Sequence, residues 1–151
     1  MDLDELDKKI ISILMSDARA TFTDIANATG KSVNTVRIRL NRMIRLGIIK
    51  KFVVQVDPKV FGYNYSVVCM VNVIPGKLDN AAEFLRQCGE VMLIYEITGI
   101  YDLCFIGFFK DESHYSEFIR KLHETGYIER TTTFVVTKRV KEEYSIPFEN
   151  L

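Results

Sequence analysis

KSVNTVRIRLNRMIRLGIIKK, residues 31–51, holds seven cations (Lys31, Arg37, Arg39, Arg42, Arg45, Lys50 and Lys51) and no Asp or Glu. Wound at 100° per residue, the stretch places Val33, Val36, Leu40, Met43 and Ile44 on one side of a helix. Asn34, Ile38, Asn41, Arg42 and Arg45 fall on the opposite side, with Thr35 at its edge and Arg37 and Arg39 on the two flanks. A helix that packs with one face and offers amides, a hydroxyl and guanidinium groups on the other fits a DNA major groove. Amides and guanidinium forks read base edges, apolar tips meet thymine methyls, and flanking cations meet phosphates. On this reading Asn34, Thr35, Ile38 and Asn41 face bases, and Arg37, Arg39, Arg42, Arg45, Lys50 and Lys51 face phosphates. Arg39 lies beside the packed face, so a partly structural role is its alternative. A solvated basic helix gives the same wheel, and the neighbouring segments decide between the two.

Upstream, Leu3, Leu6, Ile10, Ile13 and Leu14 recur at three- and four-residue steps, which predicts an amphipathic helix from Asp2 to about Asp17. Asp2 followed by Glu5 fits a capped start with acids in the first turn. A second, short helix begins near Thr21, which has capping-box spacing to Asp24. Ile25, Ala26 and Ala28 give it a small packing face, and Gly30 closes it as a left-handed cap. Ser32 then caps the basic helix. Helix, short helix, Gly turn and polar-faced helix make a helix-turn-helix. Residues 48–56 have strand composition, rich in β-branched side chains and starting with Lys50 and Lys51; they predict a basic wing. Asp57-Pro58 stops that strand, because Pro has no donor for a ladder. These boundaries give a winged helix-turn-helix over 1–56 and a hinge over 57–62.

The second half predicts a ferredoxin-like βαββαβ domain over 63–140, so the chain as a whole is α+β. Residues 63–74 are apolar and β-rich, and Pro75-Gly76 turns the chain. Leu78, Ala81, Ala82 and Leu85 mark a helix closed near Gly89. Strands follow over 91–98 and 103–109, around a turn at 99–101. Tyr115, Phe118, Ile119 and Leu122 mark a second helix closed near Gly126, and 131–140 is the last strand. The run Val67-Val68-Cys69-Met70-Val71 barely alternates, the mark of a strand buried on both faces. Either a partner subunit covers its outer face, or it is a central strand within one subunit. Residues 141–151, with Pro147, read as an extended C-terminal arm.

The net charge is zero, but it is unevenly placed. Up to Gly62 there are eleven Lys/Arg against seven Asp/Glu, and beyond it nine against thirteen, or +4 and −4. This asymmetry fits a nucleic-acid module joined to something else. No signal-peptide pattern or membrane span is read in the chain. The odd, widely spaced Cys69, Cys88 and Cys104 fit buried thiols in a reducing cytoplasm rather than a disulfide frame or a zinc site. Catalytic chemistry finds no support. His114 and His123, nine apart on one helix, point to opposite faces, no Gly-rich phosphate loop follows a strand, and Cys88 lacks a partner His. No catalytic residue, metal site or cofactor is expected.

The order of these motifs resembles the leucine-responsive regulatory protein family (Lrp/AsnC, the feast/famine regulators). It is carried by Leu3-Asp4-Glu5-Leu6-Asp7, Asp24-Ile25-Ala26, Ser32 with Thr35-Val36 and Arg39-Leu40, Gly47-Ile48-Ile49, Asp57-Pro58 with Gly62, and Thr98-Gly99-Ile100-Tyr101-Asp102. The resemblance covers nearly the whole chain. It implies a transcriptional regulator that binds duplex DNA, on a pseudo-palindromic operator if dimeric. It also implies a second domain that dimerises through its sheet, often assembles into octamers, and binds a small effector, usually an amino acid. The loop of Thr98, Gly99, Ile100, Tyr101 and Asp102 would then hold the effector. Backbone amides would take its carboxylate and Asp102 its amino group, with Ile100 and Tyr101 favouring an apolar or neutral side chain. A tight hairpin turn in which Asp102 bonds local backbone is the structural alternative. Two other functions stand beside this one: a tetrapyrrole-pathway decarboxylase of the same ancestry, and an architectural DNA-binding protein with no effector.

Overall fold

A computed structural model describes residues 2–143. They form two compact units: the chain up to Gln55, with which Glu142 and Glu143 group, and Val56–Lys141. Part of the expected C-terminal arm, residues 144–151, lies outside the described residues.

The first unit contains α1 (Glu5–Ser16), α2 (Phe22–Thr29) and α3 (Val33–Arg45). Capping residues fix all three starts. Asp4, not Asp2, caps α1, its Oδ1 accepting the Asp7 amide at 2.9 Å. Thr21 and Asp24 form a reciprocal capping box on α2, which ends in Gly30 at φ 66°. Ser32 Oγ accepts the Thr35 amide at 3.1 Å and starts α3. Ile10, Leu14, Ile25, Ala26, Val36, Leu40 and Met43 make the core between the helices. Ile44, expected on the packed side, is exposed, because it lies at the margin of the apolar stripe. The expected wing strand forms no ladder among the described residues. Ile48 and Ile49 pack against the helical core, while Phe52, Val53, Val54 and Val56 stay exposed. The strand-like composition is there, but a strand needs an edge to pair with, and the described residues of this unit hold no other strand.

The second unit opens with a 3-10 turn, Pro58–Phe61, capped by Asp57 and closed by Gly62 at φ 82°. Then come β1 (Tyr65–Val73), α4 (Leu78–Gln87), β2 (Val91–Glu96), β3 (Leu103–Phe109), α5 (Glu112–Glu124) and β4 (Ile128–Val135). This is the predicted βαββαβ order, and the sheet runs β2-β3-β1-β4 with every neighbour antiparallel. The last strand begins three residues before the expected Thr131 and ends at Val135, although the Val136 amide still bonds Ser66. The strand expected over 91–98 stops at Glu96.

Both helices cover one face of this sheet. Val67, Cys69, Val71, Leu103 and Phe105 meet Ala81, Leu85, Tyr115, Phe118 and Leu122 there in a continuous apolar core. Side chains alternate along a strand, so the opposite face carries Val68, Met70, Cys104 and Ile106, all half-buried. Paired residues form rows across it. Tyr95, Cys104, Met70 and Thr132 make one; Leu93, Ile106, Val68 and Phe134 make the next. The strand β1 is therefore apolar on both parities, yet within one chain it is fully buried on only one. Among the described residues no helix is long and apolar enough to cross a membrane.

Candidate nucleic-acid interface and effector loop

Helix α3 turns Val36, Leu40 and Met43 into the core, and this sets the direction of everything else on it. Asn34, Arg37, Ile38, Asn41 and Arg45 are exposed together on the far side, with Ile38 keeping 58% of its surface open. Lys31, Lys50 and Lys51 are exposed at the two ends of the same stretch. Ser32 is committed to the cap, and its Oγ lies 2.8 Å from Thr35 Oγ1, so the two hydroxyls share one hydrogen bond at the start of the helix. The Arg37 guanidinium sits over the Phe22 ring, 5.5 Å from its centroid, which steadies one flank by a cation–π contact.

The opposite flank differs from the expectation. Arg39 and Arg42 both turn toward α1. Arg39 Nη1 donates to Asp4 Oδ2 at 2.6 Å and to both oxygens of Asp7 at 3.3 Å. Arg42 Nη1 donates to Asp7 Oδ2 at 3.2 Å. Asp7 is fully buried, and its charge is offset by these two guanidinium groups. The Asp7 amide, and then the Arg39 bond, hold the Asp4 carboxyl below its ordinary value, and the bond to Asp4 raises Arg39. Arg39 is therefore an internal tie, and Arg42 is shared between α1 and solvent. The helical wheel of α3 alone could not show this, because it does not say where α1 lies. A signal was nevertheless present: Asp7 falls in phase with Leu3, Ile10 and Leu14, and a carboxylate on an apolar stripe requires a cation from a neighbouring element.

The loop over 98–102 is built differently. Thr98, Gly99 and Ile100 are exposed and Tyr101 and Asp102 half-buried. Gly99 takes φ 146°, a backbone that favours glycine. Asp102 Oδ2 accepts the Val73 amide at 2.8 Å, at the bulge where the β1–β4 register shifts. The Asp102 amide donates to the Val71 carbonyl, and its carbonyl accepts from the Ile97 amide. Asn72 Nδ2 donates to the Ile100 carbonyl at 2.6 Å, and Tyr101 Oη reaches Thr132 Oγ1 at 3.4 Å. The loop is thus laced to the end of β1.

Histidines do not assemble a site. His114 Nε2 lies 3.2 Å from Glu90 Oε1, and its Nδ1 accepts the Lys110 amide. His123 lies beside Thr131 instead. Among the described residues, no group of three or more His, Cys, Asp or Glu is placed to hold a metal.

Comparison with known proteins accounts for both units. Residues 3–50 match a winged helix-turn-helix DNA-binding family, and residues 66–146 match the Lrp/AsnC ligand binding domain. The HTH-type transcriptional regulator FL11 of Pyrococcus horikoshii is 33% identical, over 97% of both chains. An uncharacterised HTH-type regulator of Pyrococcus furiosus is 35% identical, over 97% of this chain and 99% of that one. Among solved structures, Escherichia coli AsnC superposes with a TM-score of 0.88 at 25% identity, covering 97% of this chain and 100% of its own. A Neisseria meningitidis regulator solved with L-Met gives a TM-score of 0.90 at 22% identity over 97% of both chains, which shows a shared fold. The relatives are transcriptional regulators, not enzymes, and the decarboxylase reading is set aside. A winged helix-turn-helix joined to a ferredoxin-like ligand-binding domain makes this chain a DNA-binding transcriptional regulator, and it belongs to the Lrp/AsnC family.

Proposed function

We propose that the protein binds pseudo-palindromic operator DNA as a homodimer, or as a larger assembly of dimers such as an octamer, and that an amino acid modulates this binding. The observation that carries the reading is the exposed face of α3. Asn34, Ile38 and Asn41, with Thr35 at the edge, are presented to base edges, while Arg37, Arg45, Lys31, Lys50 and Lys51 surround them as phosphate contacts. Ser32 serves by starting the helix, Arg42 contributes in part, and Arg39 leaves the contact set because two carboxylates hold it. The apolar rows on the helix-free face of the sheet support self-association. A two-fold dimer doubles the phosphate contacts and fixes half-site spacing. The free thiols of Cys69, Cys88 and Cys104 fit work in the cytoplasm.

The effector reading rests on the family's ligand-binding domain and on the exposed loop at 98–102, with Ile100 82% exposed. That a fold neighbour was solved with L-Met makes amino acids the first ligands to try. A second reading has its own support. Asp102 already bonds the Val73 amide, as expected of a turn in an effector-independent architectural protein. Isothermal titration of the intact protein against the twenty amino acids separates the two. Binding of an apolar or neutral amino acid, abolished by a bulky charged replacement such as Ile100→Glu, supports the effector. Absence of binding across the set leaves the architectural reading.

A further inference from the structure

We propose that Asp7 of α1 is a positioning residue for DNA binding, holding the Arg42 guanidinium so that its free edge meets a backbone phosphate. This rests on the reading of α3 as the DNA-contacting helix. Four charged groups form one network across the α1–α3 contact. Asp7 lies innermost with no exposed side-chain surface, Arg39 bridges it to Asp4, and Arg42 stands on the outer side with 40% of its side chain open. The bond from Arg42 to Asp7 uses Nη1, at 3.2 Å. A guanidinium has five donors in a rigid fork, so Nη2 and Nε remain for a second acceptor.

The charges of this network cancel. Two carboxylates and two guanidinium groups leave the α1–α3 flank neutral, so the long-range field toward DNA comes from Lys31, Arg37, Arg45, Lys50 and Lys51. Arg42 contributes locally, through where its fork points. A free arginine side chain samples many rotamers and loses that freedom on binding; one already held by a buried carboxylate loses less. Positioning also fixes a sign. Removing an acid from a DNA-binding unit ordinarily tightens binding, because one repulsive charge is gone. If Asp7 orients Arg42, removing it weakens binding instead.

The test uses the full chain and a fluorescent mixed-sequence duplex of about three helical turns, followed by anisotropy, with circular dichroism to check folding. Asp7→Asn should weaken binding roughly 3- to 10-fold, the worth of one hydrogen bond. Glu5→Gln, which removes an exposed acid from the same helix, should not weaken it. In an Arg42→Ala background, Asp7→Asn should change affinity by less than about 2-fold, because its effect passes through Arg42. Arg42→Lys keeps the charge but cannot divide a planar fork between Asp7 and a phosphate, so it too should bind several-fold more weakly. This variant decides the matter if Asp7→Asn does not fold. Unchanged or tighter binding by Asp7→Asn, an equal loss in the Arg42→Ala background, or parental affinity in Arg42→Lys overturns the proposal. Arg45→Ala separates this from the reading beneath it. If Arg45→Ala weakens binding while the Asp7 and Arg42 variants do not, only the positioning role fails. If Arg45→Ala is also silent, α3 is not the contacting helix.

Discussion

The two units leave different things open. On α3 the open groups are polar: the amides of Asn34 and Asn41 and the guanidinium of Arg45 are exposed. In the second unit the open surface is apolar, the rows through Met70 and Val68 on the helix-free side of the sheet. There the polar groups of the loop at 98–102 turn inward, with Asp102 on the Val73 amide and the Ile100 carbonyl on Asn72. Exposed donors fit a hydrated polyanion, and an exposed apolar face fits another apolar face. The comparison fits the first unit to DNA and the second to the self-association proposed above. It also shows that one subunit's loop spends part of its polar capacity on its own fold.

The sharpest way to break this comparison is a pair of substitutions on one strand, β1, at positions of opposite phase. Val71 faces the helices and is fully buried, so Val71→Asp should unfold the second unit, at a cost above about 4 kcal/mol. Val68 faces the open side, so Val68→Asp should leave the far-ultraviolet spectrum intact and convert dimers to monomers in light scattering. A folded but dimeric Val68→Asp would remove the open face as the association surface.

A smaller effect is expected at the loop. Asp102→Ala leaves the Val73 amide without its partner and should lower stability by about 1–3 kcal/mol, read as a lower denaturant midpoint. An unchanged midpoint would mean that the bond carries no weight and that Asp102 is free for a ligand. Such a loss also bears on any Asp102 variant used in ligand titrations, which must be compared at equal folded fraction.

The units should also differ in their response to pH. Asp4 is held below its ordinary value by the Asp7 amide and by Arg39, so its folded form binds fewer protons than its unfolded form as the medium turns acid. Its contribution is complete above the ordinary carboxylate range and is lost as pH falls through the depressed value. Tyr115 is raised by burial, so its contribution is complete below its ordinary value of 10.0 and is lost as pH rises past it. Melting followed by probes in each unit should show the sheet unit weakening first in alkali, whereas acid should weaken both, because Asp24 in the helical unit and Glu83 and Glu117 in the sheet unit are lowered as well. A helical unit that melts first in alkali would contradict the Tyr115 assignment.

Much of this was legible in the sequence where the determinants are local. The Thr21–Asp24 box, Gly30 and Ser32 place α2 and α3, and β3 spans its expected residues. What escaped involves contacts distant along the chain. Asp7 meets Arg39 and Arg42 more than thirty residues away, and Asp102 meets Val73 twenty-nine residues away. Residues 48–56 show the limit of composition: β-branched side chains favour extended backbone, but pairing depends on an edge being available. In β1 both parities are apolar, so hydrophobicity could not separate the helix-facing Val67, Cys69 and Val71 from the open Val68 and Met70.

The most direct test of the α3 assignment is the salt dependence of duplex binding for the parent, Arg45→Ala and Arg39→Ala. Each phosphate contact contributes about one unit to the slope of log affinity against log salt. Arg45 is exposed on the open face, whereas Arg39 is tied to Asp4 and Asp7. Arg45→Ala should therefore flatten the slope by about one with an unchanged melting temperature. Arg39→Ala should lower the melting temperature while leaving the slope of the folded protein nearly as it was. An Arg45→Ala protein that binds with the parent's affinity and slope would contradict the assignment of α3 as the DNA-contacting helix.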